Sequence, residues 1–209
     1  MKEYSIKTIK TGDNKVIREI EGLVLLTDLD DSFIIDLRYA TPHNFFGKTI
    51  YPVPICAIRT KTGEKLVKAH NIVKEKGYRI KVWDAYRPLY VQRLLYEAYP
   101  DNTFVAKPPE TPITSGFRPR HNNGMAVDIT LVDKDGNEIE MPSEFDDFTE
   151  KASPTSENMT PEARKNINYL IEVMTSVGFR IHEQEWWHFV DAIEEPNPYL
   201  DIPLEIFTE

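Results

Sequence analysis

The chain has 209 residues, 41% of them hydrophobic, which is enough for one domain with a sizeable core. Its 25 basic and 34 acidic residues leave a net charge of −9, spread along the chain rather than gathered in a tail. That balance argues against general affinity for nucleic acid or an anionic membrane. The single cysteine, Cys56, excludes an internal disulfide framework, and its apolar surroundings make it a core residue.

The first ten residues lack the apolar centre of a secretory signal, and no stretch approaches the ~18 apolar residues of a membrane span. The expectation is a cytoplasmic protein. Residues 1–35 alternate short apolar and polar stretches, as edge strands or a wrapping arm would. Residues 36–42 and 44–47 mix polar and aromatic side chains with Pro42 and Gly47, reading as an ordered loop or a plain surface turn.

Residues 63–77 carry Leu66, Ala69, His70 and Val73 at helical spacing, with Gly77 as the stop. His70 lies on that apolar face and reads as a packed core histidine. Residues 78–83 alternate as a strand and run into Asp84-Ala85-Tyr86-Arg87-Pro88, after which Pro88 can open a helix reaching Tyr99. Asp84 and Arg87 at that junction suit either a functional pair or a structural ion pair. Five prolines between 100 and 120 predict a loop.

The most informative stretch follows. His121 leads into Asn122-Asn123-Gly124, a tight-turn sequence, and then into an apolar run that carries Asp128. An unpaired carboxylate there is costly, and metal coordination would remove the cost. His188, in Glu185-Trp186-Trp187-His188-Phe189, is the best-placed third ligand, with Glu185 as a nearby base. The plain alternatives are Asp128 paired with an arginine, His188 packed in a strand and Glu185 on the surface. His182-Glu183-Gln184-Glu185 fails the zinc-protease pattern His-Glu-x-x-His, because Trp186 takes the fifth place. Glu185 and His188 would point to opposite faces of a regular strand, so the zinc hypothesis demands a bend between them.

Residues 133–137 suit a hairpin turn better than a calcium loop, whose downstream spacing is missing. Residues 144–151 form another loop candidate. Thr160-Pro161-Glu162 is a helix start, and the helix ends at Gly178. Residues 179–190 form the closing strand region, and the tail from 194 to 209 reads as peripheral.

Five motifs in order make the chain recognisable: residues 36–41 (Asp-Leu-Arg-Tyr-Ala-Thr), 84–88, His121-x-x-Gly124-x-Ala126-x-Asp128, Phe145-Asp146, and 185–188. Together they resemble the D-alanyl-D-alanine dipeptidases of the vancomycin-resistance type, in the zinc D,D-peptidase group. The resemblance implies an α+β fold, a single domain with helices packed on a mostly antiparallel sheet, Hedgehog/D,D-peptidase-like. It implies one zinc per chain on His121, Asp128 and His188, Glu185 as general base and Arg87 at the oxyanion. Tyr39 and Asp146 would line the pocket of a small D,D-dipeptide, Asp146 facing its ammonium. One departure stands out: the family serine two residues before the first zinc histidine is Pro119 here, with Ser115 nearby. The rival expectations are a zinc D,D-carboxypeptidase or L,D-peptidase acting on peptidoglycan peptides, and a non-catalytic zinc-containing module.

Overall fold

A computed structural model describes residues 3–108, 120–193 and 200–208. Pro119 and Ser115 lie outside the described residues, as does the start of the tail.

Two sheets organise the chain. The first takes β1 (Ile6–Lys10), β2 (Val16–Ile20), β3 (Leu23–Leu25) and, later, β5 (Ala57–Arg59), all antiparallel. Ile20, Leu23 and Val24 are fully buried, so the first residues of the chain supply core and not merely edge. After the single turn α1 (Leu26–Leu29), β4 (Ile34–Ile35) opens the second sheet. That sheet has the order β4-β6-β7-β9-β8, with β6 (Arg79–Asp84), β7 (Ala126–Val132), β8 (Phe179–Ile181) and β9 (His188–Asp191). Only β4–β6 is parallel, in keeping with the α+β fold expected.

Helix α2 (Thr60–Glu75) packs on β6 and helix α4 (Pro161–Ser176) on β8. The Thr160 hydroxyl accepts from the Ala163 N–H, and Pro161 opens the helix, as the sequence foretold. Helix α2 begins three residues before the expected start, and it ends before Gly77, whose φ of 80° suits glycine. A third helix, α3 (Leu89–Ala98), follows Pro88.

His70 is the core histidine expected. Its Nδ1 accepts from the Ile80 N–H at 3.1 Å, so Nε2–H faces the Ser32 hydroxyl at 3.0 Å, and its ring stacks on Phe33. Cys56 is also buried, which pushes its thiol pKa upward and leaves it inert. The tail corrects one expectation. Tyr86 and Ile202 exchange hydrogen bonds, and Leu204 is fully buried, because Leu200, Ile202, Leu204 and Phe207 join the hydrophobic core.

β7 is the centre of the second sheet, and all seven of its residues are buried. Val127, Ile129 and Leu131 share a face with Phe189, Val82 and Ile80 through the strand register. Asp128 points to the other face. The sheet thus has an apolar side for the helices and a side that can carry chemistry.

Candidate metal centre and pocket

Pairing register assembles the site. Asp128 lies directly opposite His188 across β7–β9, so the two side chains emerge side by side. On the other flank the β6–β7 ladder shifts between Val82 and Asp84, which sets Asp84 opposite Asp128. That irregularity places two acids on the site face. His121 arrives from the 3-10 turn Arg120–Asn123, which Gly124 closes with a φ of 73°. A side chain at Gly124 would collide with Leu23, so the turn needs glycine for space as well as conformation.

The three expected ligands converge. His188 Nδ1 lies 2.9 Å and His121 Nε2 3.3 Å from Asp128 Oδ1, and the two ring nitrogens are 3.1 Å apart. Donors about 2.0–2.1 Å from a tetrahedral zinc stand roughly 3.3 Å from each other, close to the edges of this triangle. Two imidazoles and one carboxylate are also the donor types of open zinc sites. His121 donates Nδ1–H to the Ala85 carbonyl at 2.7 Å, which orients the ring with Nε2 aimed at the other two ligands. The residues therefore fit the metal. Burial alone would raise the Asp128 carboxyl, but His121 and His188 outweigh it and hold it well below the usual range. Burial in turn lowers His188, against the pull of Asp128, which favours the neutral ring that can ligate.

Arg87 stands behind this trio. Its Nε and Nη2 donate to Asp84 Oδ2 at 2.9 and 2.8 Å, and Nη1 donates to Gln92 Oε1 at 2.8 Å. Asp84 Oδ1 accepts from the Tyr51 hydroxyl and the Ala85 N–H. The structural ion pair considered for Asp84 and Arg87 is thus present, and Arg87 still lines the pocket, 3.8 Å from Asp128. Asn122 ties the two motifs together by donating to the Arg87 carbonyl.

The bend demanded between Glu185 and His188 exists. Residues 186–187 form a turn closed by the His188 N–H on the Glu185 carbonyl, so both side chains reach one pocket. Glu185 is buried, not the surface acid of the plain alternative. Burial, then repulsion from Asp128 and Asp146, raise its carboxyl well above the ordinary range, while Arg87 opposes them.

Tyr39 and Asp146 meet on another wall, the phenol donating to the carboxylate at 3.3 Å. Asp146 takes a φ of 59°, rare for a non-glycine residue. Its loop is held by Phe145, which packs against Trp83, Trp187 and Tyr39, and by Trp186 Nε1 bonded to Ser143. Burial, then the charge on Asp128, push the Asp146 carboxyl up to about 8, against the pull of Arg87. The cavity enclosed by these groups measures about 260 Å³, below the ~300–1,000 Å³ of sites for drug-sized ligands.

A match to the D-ala-D-ala dipeptidase family spans residues 19–205. The chain belongs to that family. Among curated relatives, the D-alanyl-D-alanine dipeptidase of Escherichia coli is 34% identical over 170 residues, covering 81% of this chain and 82% of the relative. The dipeptidase of Enterococcus faecium is 30% identical over 200 residues, covering 88% and 98%. A vancomycin-resistance D,D-pentapeptidase solved with Zn(II) aligns at a TM-score of 0.40 and 16% identity, covering 66% of this chain and 74% of that one.

Every site residue expected from the sequence lines this one cavity. Gln92, Arg120 and His182 line it too and were missed as functional candidates. The only sequence signal for Arg120 was its position next to a ligand histidine. Gln92 had none, since its contact with Arg87 depends on how α3 leaves Pro88.

Proposed function

We propose that this protein hydrolyses D-alanyl-D-alanine or a closely similar short D,D-dipeptide, with zinc held by His121, Asp128 and His188. The observation that carries the reading is the convergence of these ligands, a buried carboxyl and a buried guanidinium in one small cavity, in a member of this family. A bound zinc supplies the Lewis acid that makes water a nucleophile near neutral pH.

The chain's own groups do the rest. Asp146, oriented by the Tyr39 hydroxyl, receives the substrate ammonium, and the small cavity favours a dipeptide over a longer chain. Glu185 takes a proton from the attacking water on a carboxylate oxygen. As the C–N bond breaks, it passes that proton to the leaving amine, and two free amino acids result. A carboxyl raised well above its ordinary range holds the transferred proton more readily on its way to the amine. Two N–H groups of Arg87 remain after its bonds to Asp84 and Gln92, and they stabilise the oxyanion of the tetrahedral intermediate. One zinc per chain and a cytoplasmic site of action belong to the same proposal, to be tested by metal analysis and cell fractionation.

The test is hydrolysis of D-Ala-D-Ala, L-Ala-L-Ala and an N-acetylated D,D-dipeptide, with and without a zinc chelator. Chelator-sensitive cleavage of the free D,D-dipeptide alone supports the reading. Cleavage of the acetylated peptide points to a carboxypeptidase instead. Glu185→Gln should lower kcat by about 10²–10⁴-fold with zinc content unchanged. Undiminished turnover in that variant would remove Glu185 from the mechanism.

A further inference from the structure

We propose that Arg120 binds the C-terminal carboxylate of the substrate and so sets specificity at the leaving residue. The proposal rests on the dipeptidase reading above and adds the group that reads the far end of the dipeptide.

A free dipeptide carries opposite charges on either side of one peptide bond, and a desolvating cavity must match both. Asp146 matches the ammonium. Two arginines line the cavity, Arg87 and Arg120. Arg87 is committed: three of its five N–H donors are held by Asp84 and Gln92, and its charge is matched by Asp84 directly behind it. What remains of it serves the oxyanion.

Arg120 is the opposite case. Its guanidinium makes no hydrogen bond or ion pair among the described residues, although it is half-buried and lines the cavity that holds Asp128, Asp146 and Glu185. Arginine presents a planar fork that grips a carboxylate through two parallel N–H bonds, and a lining arginine without a partner is prepared for such a ligand. Its placement suits the task. Arg120 opens the turn before β7, whereas Asp146 follows β7, so the two charges reach the cavity from separate segments of the chain. The backbone beneath Arg120 is fixed, because its carbonyl accepts from the Met125 N–H within the turn that presents His121.

The charge balance agrees. Four carboxyls, Asp84, Asp128, Asp146 and Glu185, stand in or beside the cavity, while Arg87 is already committed to one of them, Asp84. A peptide extended or amidated at its C-terminus has no carboxylate for Arg120 and binds more weakly.

The experiment compares D-Ala-D-Ala with D-alanyl-D-alaninamide as substrates of the wild type, Arg120→Gln and Arg120→Lys, each confirmed to hold zinc. Losing a hydrogen-bonded charge contact should raise KM for D-Ala-D-Ala about 10- to 100-fold in Arg120→Gln and change kcat little. The same substitution should leave the amide unaffected, and Arg120→Lys should recover part of the loss. In a Glu185→Gln background, where substrate persists, calorimetric affinity for D-Ala-D-Ala should fall by the same factor. Equal losses on both substrates would reveal a merely structural role and overturn the assignment, as would no loss. A zinc-loaded wild type that cleaves neither compound overturns the dipeptidase reading and takes Arg120 with it. Normal wild-type turnover with an indifferent Arg120→Gln removes Arg120 alone.

Discussion

Replacing Asp84 by Asn tests whether Arg87 is held for chemistry by the carboxylate behind it. Asp84 is fully buried and each of its oxygens accepts two bonds: Oδ1 from the Tyr51 hydroxyl and the Ala85 N–H, Oδ2 from Arg87 Nε and Nη2. Asparagine supplies one acceptor oxygen and one NH₂ group. Whichever way it turns, at least one N–H donor faces the new NH₂, and the buried guanidinium loses its counter-charge. Breaking a buried pair from one side costs about 3–5 kcal/mol. Arg87 would then turn to its next carboxylate, Asp128, 3.8 Å away and needed by the metal. We expect Asp84→Asn to lose about 3–5 kcal/mol in urea unfolding. We also expect kcat/KM to fall about 10²–10³-fold, the effect of losing an oxyanion donor. Tyr51→Phe removes one bond only and should cost about 1 kcal/mol, which separates charge loss from simple unbonding. A loss below about 1 kcal/mol in Asp84→Asn, with kcat/KM unchanged, would refute the reasoning.

Two further predictions follow from buried histidines and the metal ligands. His70 has its pKa lowered to about 4, chiefly by burial, against about 6.5 in an unfolded chain. The unfolded state therefore binds the proton more readily, and this stability is complete above about pH 6.5 and drains away as pH falls toward 4. The full loss is about 3 kcal/mol, read as the wild type's advantage over His70→Gln, which does not titrate, shrinking by that amount in urea unfolding as pH falls. A pH-independent gap would contradict it. His121→Ala should abolish stoichiometric zinc and the thermal stabilisation that added zinc confers on the wild type, because ligand binding to the folded state raises Tm. An unchanged zinc content by metal analysis would mean that the triangle of donors is not the site.

Much of the molecule is legible in the linear chain because it depends on local chemistry. Thr160-Pro161-Glu162 is a helix start through its own hydroxyl and ring, and Leu66, Ala69, His70 and Val73 mark a buried face through spacing alone. The apolar run around Asp128 signals a strand in which a carboxylate needs a partner. The residue types able to hold zinc can be found in the same way.

Their convergence cannot. Asp128 and His188 are 60 positions apart, and only the β7–β9 register makes them neighbours. The shifted β6–β7 ladder brings Asp84 opposite Asp128, and no spacing rule foretells it. The tail looked peripheral by composition, yet Tyr86 offers it a hydrogen-bonding partner and an apolar surface, so it is packed. Arg120 shows the division most plainly: its charge is written in the sequence, but whether that charge is spent on a neighbour or kept for a ligand depends on what the fold places around it. Local propensity and residue chemistry act over a few residues, whereas a site is made by strand pairing and packing across the whole chain.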